Sequence, residues 1–213
     1  MASTRPDLRE ERALQAAGAV RVAGLDEAGR GAWAGPVCAA AVVLPLEQPD
    51  LPAILAGVRD SKLLTPARRQ ALWATVRQAA LGCGVGWATP VEIDEMGIVR
   101  ATQTAMVRAL GQLAGAVDAL LIDYLSLPEV ALPQRALPHA DSRCLSVAAA
   151  SIIAKVERDR LMEALDSDFP GYGFARHKGY GTQQHRQALL RWGATPLHRK
   201  SWRPLLDISA GRT

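Results

Sequence analysis

The stretch that most constrains this chain is Val22-Ala23-Gly24-Leu25-Asp26-Glu27-Ala28-Gly29-Arg30-Gly31, an apolar run that ends on two adjacent carboxylates and then turns glycine-rich around one arginine. A short apolar run bounded by glycine reads as a buried strand. Two acidic side chains at its end are costly unless water, hydrogen bonds or a cation compensates them. Asp26 and Glu27 are therefore candidates for a metal site. A solvated turn is the alternative reading of the same residues, because Asp and Gly are ordinary turn formers.

The pattern returns at Val117-Asp118-Ala119-Leu120-Leu121-Ile122-Asp123, again apolar and again ending on an acid. Residues 19–25, 37–44, 82–88 and 117–123 read as strands, the first two forming a hairpin with an elaborate loop. Thr65-Pro66 supplies an N-cap and a first-turn proline for a helix over 66–80. Thr89-Pro90 repeats that signal ahead of a short acidic turn, after which residues 98–113 carry apolar residues at helical spacing. Residues 126–140 hold three prolines and read as a loop with one extended piece. Small and apolar residues at 3.6 spacing over 146–165 predict a helix with Ala148, Ile152 and Val156 inward. Thr182 caps a further helix through 192, and Pro204 opens a short last one. The expected fold is α/β or α+β, an antiparallel opening followed by helix-linked strands. Residues 1–18 read as a flexible, poorly ordered lead or a short helix and 19–213 as a single domain, with a helical C-terminal segment from about residue 169.

At 213 residues the chain can bury a core without staples. Cys38, Cys83 and Cys144 are odd in number, far apart and in no Cys-x-x-Cys spacing, so they suggest neither a zinc site nor a secreted disulfide framework and fit a reducing cytoplasm. No apolar run approaches a membrane span. The net charge is only +4, but the distribution is uneven. Between Phe169 and Leu206 there is no Asp or Glu, while Arg176, Lys178, Arg186, Arg191, Arg199, Lys200 and Arg203 occur together with His177, His185, His198, Tyr172, Tyr180, Trp192 and Trp202. Cations interleaved with rings read as a nucleic-acid-facing surface; a merely solvated basic face is the alternative.

If the strands ending at Asp26 and Asp123 are parallel neighbours, their carboxylates meet at the edge where open sheets bind ligands. Asp141, just ahead of the 146–165 helix, would join them. Clustered carboxylates repel, so a pKa rises unless divalent cations intervene. An all-oxygen donor set favours Mg²⁺ or Mn²⁺ over zinc, and two such ions about 3.5–4 Å apart suit in-line displacement at phosphorus. Gly29-Arg30-Gly31 adds exposed backbone groups suited to a sugar hydroxyl or a phosphate, and the ribose 2′-OH is the group that tells RNA from DNA.

The motifs Val22–Gly31, Asp60-Ser61-Lys62, Leu121-Ile122-Asp123, Asp141-Ser142 leading into Ala148-Ala149-Ala150-Ser151-Ile152-Ile153-Ala154-Lys155-Val156 with Arg158-Asp159, Tyr172-Gly173-Phe174 and His177-Lys178-Gly179-Tyr180 occur in order along the chain. Together they resemble the ribonuclease HII family. The resemblance implies a ribonuclease H-like α/β fold: a mixed five-stranded sheet with strands one to three antiparallel, flanked by helices, and a C-terminal segment that grips the substrate. It implies an endoribonuclease that cuts 5′ to ribonucleotides in RNA/DNA hybrids and at single ribonucleotides embedded in duplex DNA, leaving 3′-OH and 5′-phosphate, as in ribonucleotide excision repair. Carried over by motif, Asp26, Glu27, Asp123 and Asp141 hold two Mg²⁺ or Mn²⁺ ions. Gly29, Arg30 and Gly31 read the 2′-OH, Tyr180 stacks on the neighbouring deoxyribose, and Ser61 and Lys62 contact the phosphate backbone. A monomer in the cytoplasm, without membrane contact, is expected. The chain departs from the family pattern at Pro138-His139-Ala140, at Cys144-Leu145-Ser146-Val147 and at Ala32-Trp33-Ala34. Two alternatives stand beside this reading: another two-metal nuclease on the same fold, which would cut duplexes lacking ribonucleotides, and a non-catalytic hybrid-binding protein.

Overall fold

Strand β2 (Val37–Val43) is buried along its whole length, because its two faces serve two different layers. Cys38, Ala40 and Val42 belong to one apolar cluster, whereas Val37, Ala39, Ala41 and Val43 belong to another. A strand covered on both sides reads as a continuous apolar run instead of an alternating one, which is how residues 37–44 read. The computed structural model describes residues 5–209. In chain order its elements are α1 (Arg9–Ala16), β1 (Val22–Ala28), β2, α2 (Leu51–Ile54), α3 (Pro66–Ala79), β3 (Gly82–Ala88), α4 (Pro90–Gly111), β4 (Ala119–Asp123), β5 (Gln134–Leu137), α5 (Leu145–Ala164), α6 (Phe174–His177), α7 (Gln183–Trp192) and α8 (Arg203–Ser209). Short 3₁₀ turns lie at Ser61–Leu63 and Ala140–Ser142.

The sheet runs β3-β2-β1-β4-β5. β1, β2 and β3 pair antiparallel, while β4 lies parallel to both β1 and β5. This is the mixed five-stranded sheet expected from the motifs, with the strands ending at Asp26–Ala28 and Asp123 side by side and pointing the same way. β5 is the extended piece anticipated within 126–140. Helices α3 and α5 cover one face and α4 the other, each supplying part of the corresponding apolar cluster.

Local signals place the helix starts. Thr65 Oγ1 accepts from Arg68 N–H, Thr182 Oγ1 accepts from His185 N–H, and Thr89 forms a full capping box with Glu92. The acidic turn and the following helix, separate in the sequence reading, are two helical pieces of α4 that meet at a non-helical kink at Gly97 (φ 79°, ψ 158°). Among the described residues no helix is long and apolar enough to cross a membrane. The three cysteines are free.

Two packing features position the site. A Cβ on Gly24 of β1 would lie 2.3 Å from the Ser146 carbonyl carbon, so the missing side chain lets the start of α5 sit directly on β1. Of the two readings of 1–18, a flexible lead or a short helix, the described residues show the helix: residues 9–16 are helical and Glu11 is fully buried, its Oε1 accepting from Ser146 N–H (2.8 Å) and Oγ–H (2.7 Å). Cys144 at the N-cap offers no side-chain bond. Glu11 thus caps α5 from far away in sequence, at the positive end of the helix dipole.

Candidate active site

The last registered pair between β1 and β4 is Leu25 with Ile122, so the next residues, Asp26 and Asp123, are neighbours across the two parallel strands. Asp123 Oδ1 accepts from Ala140 N–H (2.7 Å), which ties the end of β4 to the turn carrying Asp141. His139, at the head of that turn, adopts the left-handed backbone (φ 57°), which His tolerates better than most residues. All four predicted acids therefore reach one edge of the sheet.

Their electrostatics record the crowding. Burial, and then the negative charges of Glu27, Asp123 and Asp141, hold the Asp26 carboxyl well above the usual carboxylate range. Glu27 is pushed up by burial, partly offset by Arg30, whose Nη1 lies 3.1 Å from Oε1. Asp141 is raised by burial and then by the negative charges of Asp60 and Asp123. Burial alone would lower Lys62, but the charges of Asp60, Asp26, Asp141 and Asp123 more than offset it and raise it. Its Nζ lies 3.6 Å from Asp141 Oδ2.

Among the described residues no group of three or more His, Cys, Asp or Glu stands ready to hold a metal ion. Oxygens of the acids are engaged elsewhere: Asp26 Oδ1 by Glu27 N–H, Asp123 Oδ1 by Ala140 N–H, and Glu27 Oε1 by Arg30. Glu27 Oε2, in contrast, is buried with no hydrogen-bond partner. A buried unpartnered carboxylate oxygen beside three further acids is costly as it stands, and an all-oxygen set of this charge suits a hard divalent cation.

The other predicted residues divide. Lys62 is exposed beside the acids, whereas Ser61 is buried, its N–H bonded to Ser151 Oγ and its carbonyl to Arg69. Tyr180 is half-buried, its ring facing Lys155 Nζ at 5.5 Å and Arg158 Cζ at 5.4 Å. The two glycines of the Gly-Arg-Gly turn differ. Gly29 is buried at φ 93°, and a Cβ there would overlap Arg158 Nε at 1.9 Å; Gly31 is exposed, with nothing within 4 Å of an added Cβ. Gly29 is a glycine for internal packing, and only Gly31 leaves room for a ligand.

Two buried arginines shape that turn; the sequence reading gave Arg158 no role and counted Arg199 only as part of the outward-facing basic block. Arg158 donates to the carbonyls of Pro36, Ala34 and Lys178. Arg199 donates to the carbonyls of Gly29 (2.7 Å), Arg30 (2.7 Å) and Gly35 (3.1 and 3.0 Å). Arg199 is fully buried with no carboxylate partner among the described residues, and burial followed by the nearby Arg158 charge lowers it to about 9, so it is still protonated at neutral pH.

The basic block is thus not a uniform outer surface. Tyr172, His177, His185, His198 and Arg199 are buried; His177 and His185 stack at 4.5 Å around Phe174, and His185 Nε2 meets His198 Nε2 at 2.9 Å. Arg176, Arg186, Arg191, Lys200, Arg203 and Trp192 face solvent. The rings turn inward because backbone groups satisfy them: Tyr172 O pairs with His177 Nε2, Tyr180 O with His185 Nδ1, and Thr195 N–H donates to His198 Nδ1. No local signal separates these inward groups from the outward ones. Trp33, a departure from the family pattern, donates its backbone N–H to Gly179 O and packs on His185 at 5.6 Å.

A family model described as Ribonuclease HII matches residues 23–204. A ribonuclease HII of Chloroflexus aurantiacus is 54% identical over 205 residues, 95% of each chain. Among solved structures, the ribonuclease H2 of Pyrococcus horikoshii superposes with a TM-score of 0.76 at 28% identity, over 91% of this chain and 99% of that one. Bst-RNase HIII in complex with Mn²⁺ shares the fold, with a TM-score of 0.67 at 21% identity over 92% of this chain and 71% of that one.

Proposed function

The chain belongs to the ribonuclease HII family and is a metal-dependent endoribonuclease of the ribonuclease H type acting on RNA/DNA hybrids; we propose that Asp26, Glu27, Asp123 and Asp141 are its metal-binding catalytic acids. The observation that carries this is the meeting of four carboxylates from β1, β4 and the turn before α5, with Glu27 Oε2 buried and unpartnered. Two Mg²⁺ or Mn²⁺ ions held there would supply activation of the attacking water and neutralisation of the leaving oxygen; a relative of the same fold, Bst-RNase HIII, has been solved in complex with Mn²⁺.

The protein's own groups do the rest. Lys62 lies exposed beside Asp141 and would take the phosphate charge near the cut. The turn at Gly29-Arg30-Gly31 would bond the ribose 2′-OH, and Tyr180 would stack on the deoxyribose beyond it. Because Asp26 and Glu27 sit on the strand that runs into this turn, recognition of the sugar and the position of the cut are fixed by one piece of backbone. The reading places the cut 5′ to a ribonucleotide, in hybrids and at single embedded ribonucleotides, with 3′-OH and 5′-phosphate ends, by a cytoplasmic monomer.

The test is cleavage of a DNA duplex carrying one ribonucleotide, with and without Mg²⁺, mapping the cut and its end groups. A Mg²⁺-dependent cut on the 5′ side with a 5′-phosphate product is expected. Activity in EDTA, a cyclic phosphate end, or equal cutting of an all-DNA duplex would refute the assignment.

A further inference from the structure

Arg199 lies in the C-terminal segment, far in sequence from the turn that it touches. Its guanidinium spans three carbonyls, Gly29, Arg30 and Gly35, through four hydrogen bonds of 2.7–3.1 Å. Backbone bonds dock the same segment beside it: Arg199 N–H donates to Trp33 O, and Gly35 N–H donates to Leu197 O. A carboxylate partner would have used up the fork, but the described residues supply none, so all of its directional bonding is spent on the turn's backbone.

In a trans peptide the N–H points opposite to the C=O that precedes it, and the chain has no cis bond among the described residues. With the Gly29 and Arg30 carbonyls drawn inward by Arg199, the N–H groups of Arg30 and Gly31 point outward. Neither N–H has an acceptor among the described residues, and Gly31 is exposed with open space where a side chain would be. We infer that Arg199 is the positioning residue for sugar recognition: it fixes the peptide planes of the turn so that two neighbouring N–H donors face the ribose-bearing nucleotide. This rests on the reading of the turn given above, and adds to it the group that sets the turn's direction.

Only a planar fork spans three carbonyls at once; an ammonium is a point donor. Arg199→Lys keeps the charge and loses the span, and Arg199→Gln loses both. Trp202→Leu removes a ring 5.3 Å from the Arg199 guanidinium without touching the four bonds, and serves as the stability control. Binding is measured to two duplexes of one sequence, all-DNA and with a single ribonucleotide, in Ca²⁺, with a gel to verify that the duplex stays intact; melting curves are recorded for each variant.

The expected result is a preference of the native protein for the ribonucleotide duplex that falls about tenfold or more in both Arg199 variants, the size of two lost hydrogen bonds. Affinity for the all-DNA duplex should be unchanged, and Trp202→Leu should keep the preference even where it melts earlier. A preference retained in folded Arg199→Lys, or lost equally in Trp202→Leu, overturns the inference. If neither Arg199 variant melts cooperatively, amide exchange in the native protein decides: the Arg30 and Gly31 amides should slow with the ribonucleotide duplex and stay fast with the all-DNA duplex, and equal exchange overturns it. A native protein that neither prefers nor cuts the ribonucleotide duplex defeats the functional reading itself, a different outcome from loss in the variants alone.

Discussion

At the scale of single residues, the two glycines flanking Arg30 look alike in sequence and differ in what they carry. Gly29 holds a left-handed backbone and lies under Arg158, so Gly29→Ala adds a φ penalty of about 1–2 kcal/mol and a steric overlap. It should lower the melting temperature by several degrees, about 2–4 °C for each kcal/mol in a chain of this size. Gly31→Ala meets no neighbour and should melt like the native protein while losing cleavage of the single-ribonucleotide duplex; melting curves beside kcat/KM separate the two. Asp26→Asn removes one charge from a repelling, buried cluster. Cleavage should fall by about 1000-fold or more, since the acid binds the ions that lower the barrier, while duplex binding is kept. The metal-free variant should also melt higher than the native protein at pH 7. The sign follows from the raised Asp26 carboxyl: its native state binds more protons than the unfolded state, so stability is full below the unfolded pKa near 3.9 and is lost as pH rises through the folded value. An amide escapes that loss, and an unchanged or lower melting temperature would count against the shared cluster.

At the scale of elements, the segment from α6 through α7 to Arg199 is a scaffold as much as a surface. His185 and His198, both buried, are held down to about 4, chiefly by desolvation. Between that value and the unfolded pKa near 6.5 the unfolded chain binds the extra protons, so stability falls as pH drops through this window. The melting temperature should therefore decline from pH 6.5 towards pH 4, and His198→Gln should flatten the decline. A profile identical to the native one would show that the pair does not titrate with unfolding. The docking of this segment by Arg199 and Trp33 predicts that the turn loosens as it melts. Helix α4 makes a related point: its two halves read as separate in sequence, and the non-helical dihedrals of Gly97 divide residues 90–111 at that place.

At the scale of the whole molecule, a divalent cation that binds the folded acids and not the unfolded chain must stabilise the fold. At a concentration 100 times its Kd the gain is about 2.7 kcal/mol, which should raise the melting temperature by about 5–10 °C for a chain of this length. The shift should shrink sharply in Asp26→Asn. Calorimetry with and without Mg²⁺ checks both. What the sequence by itself determined was local: two strands ending on acids, Thr caps at 65, 89 and 182, the apolar period of α5 and the motif set that marks the family. Those features depend on neighbours a few residues apart, so they are written in short stretches. Tertiary structure alone decided that Glu11 caps α5, that Gly29 packs under Arg158, and that three histidines and Arg199 of a basic block turn inward. Each of these is a polar group whose burial is tolerable only because its partner, a carbonyl or N–H from a distant segment, arrives with the fold, and no pattern in the adjacent sequence records where that partner will come from.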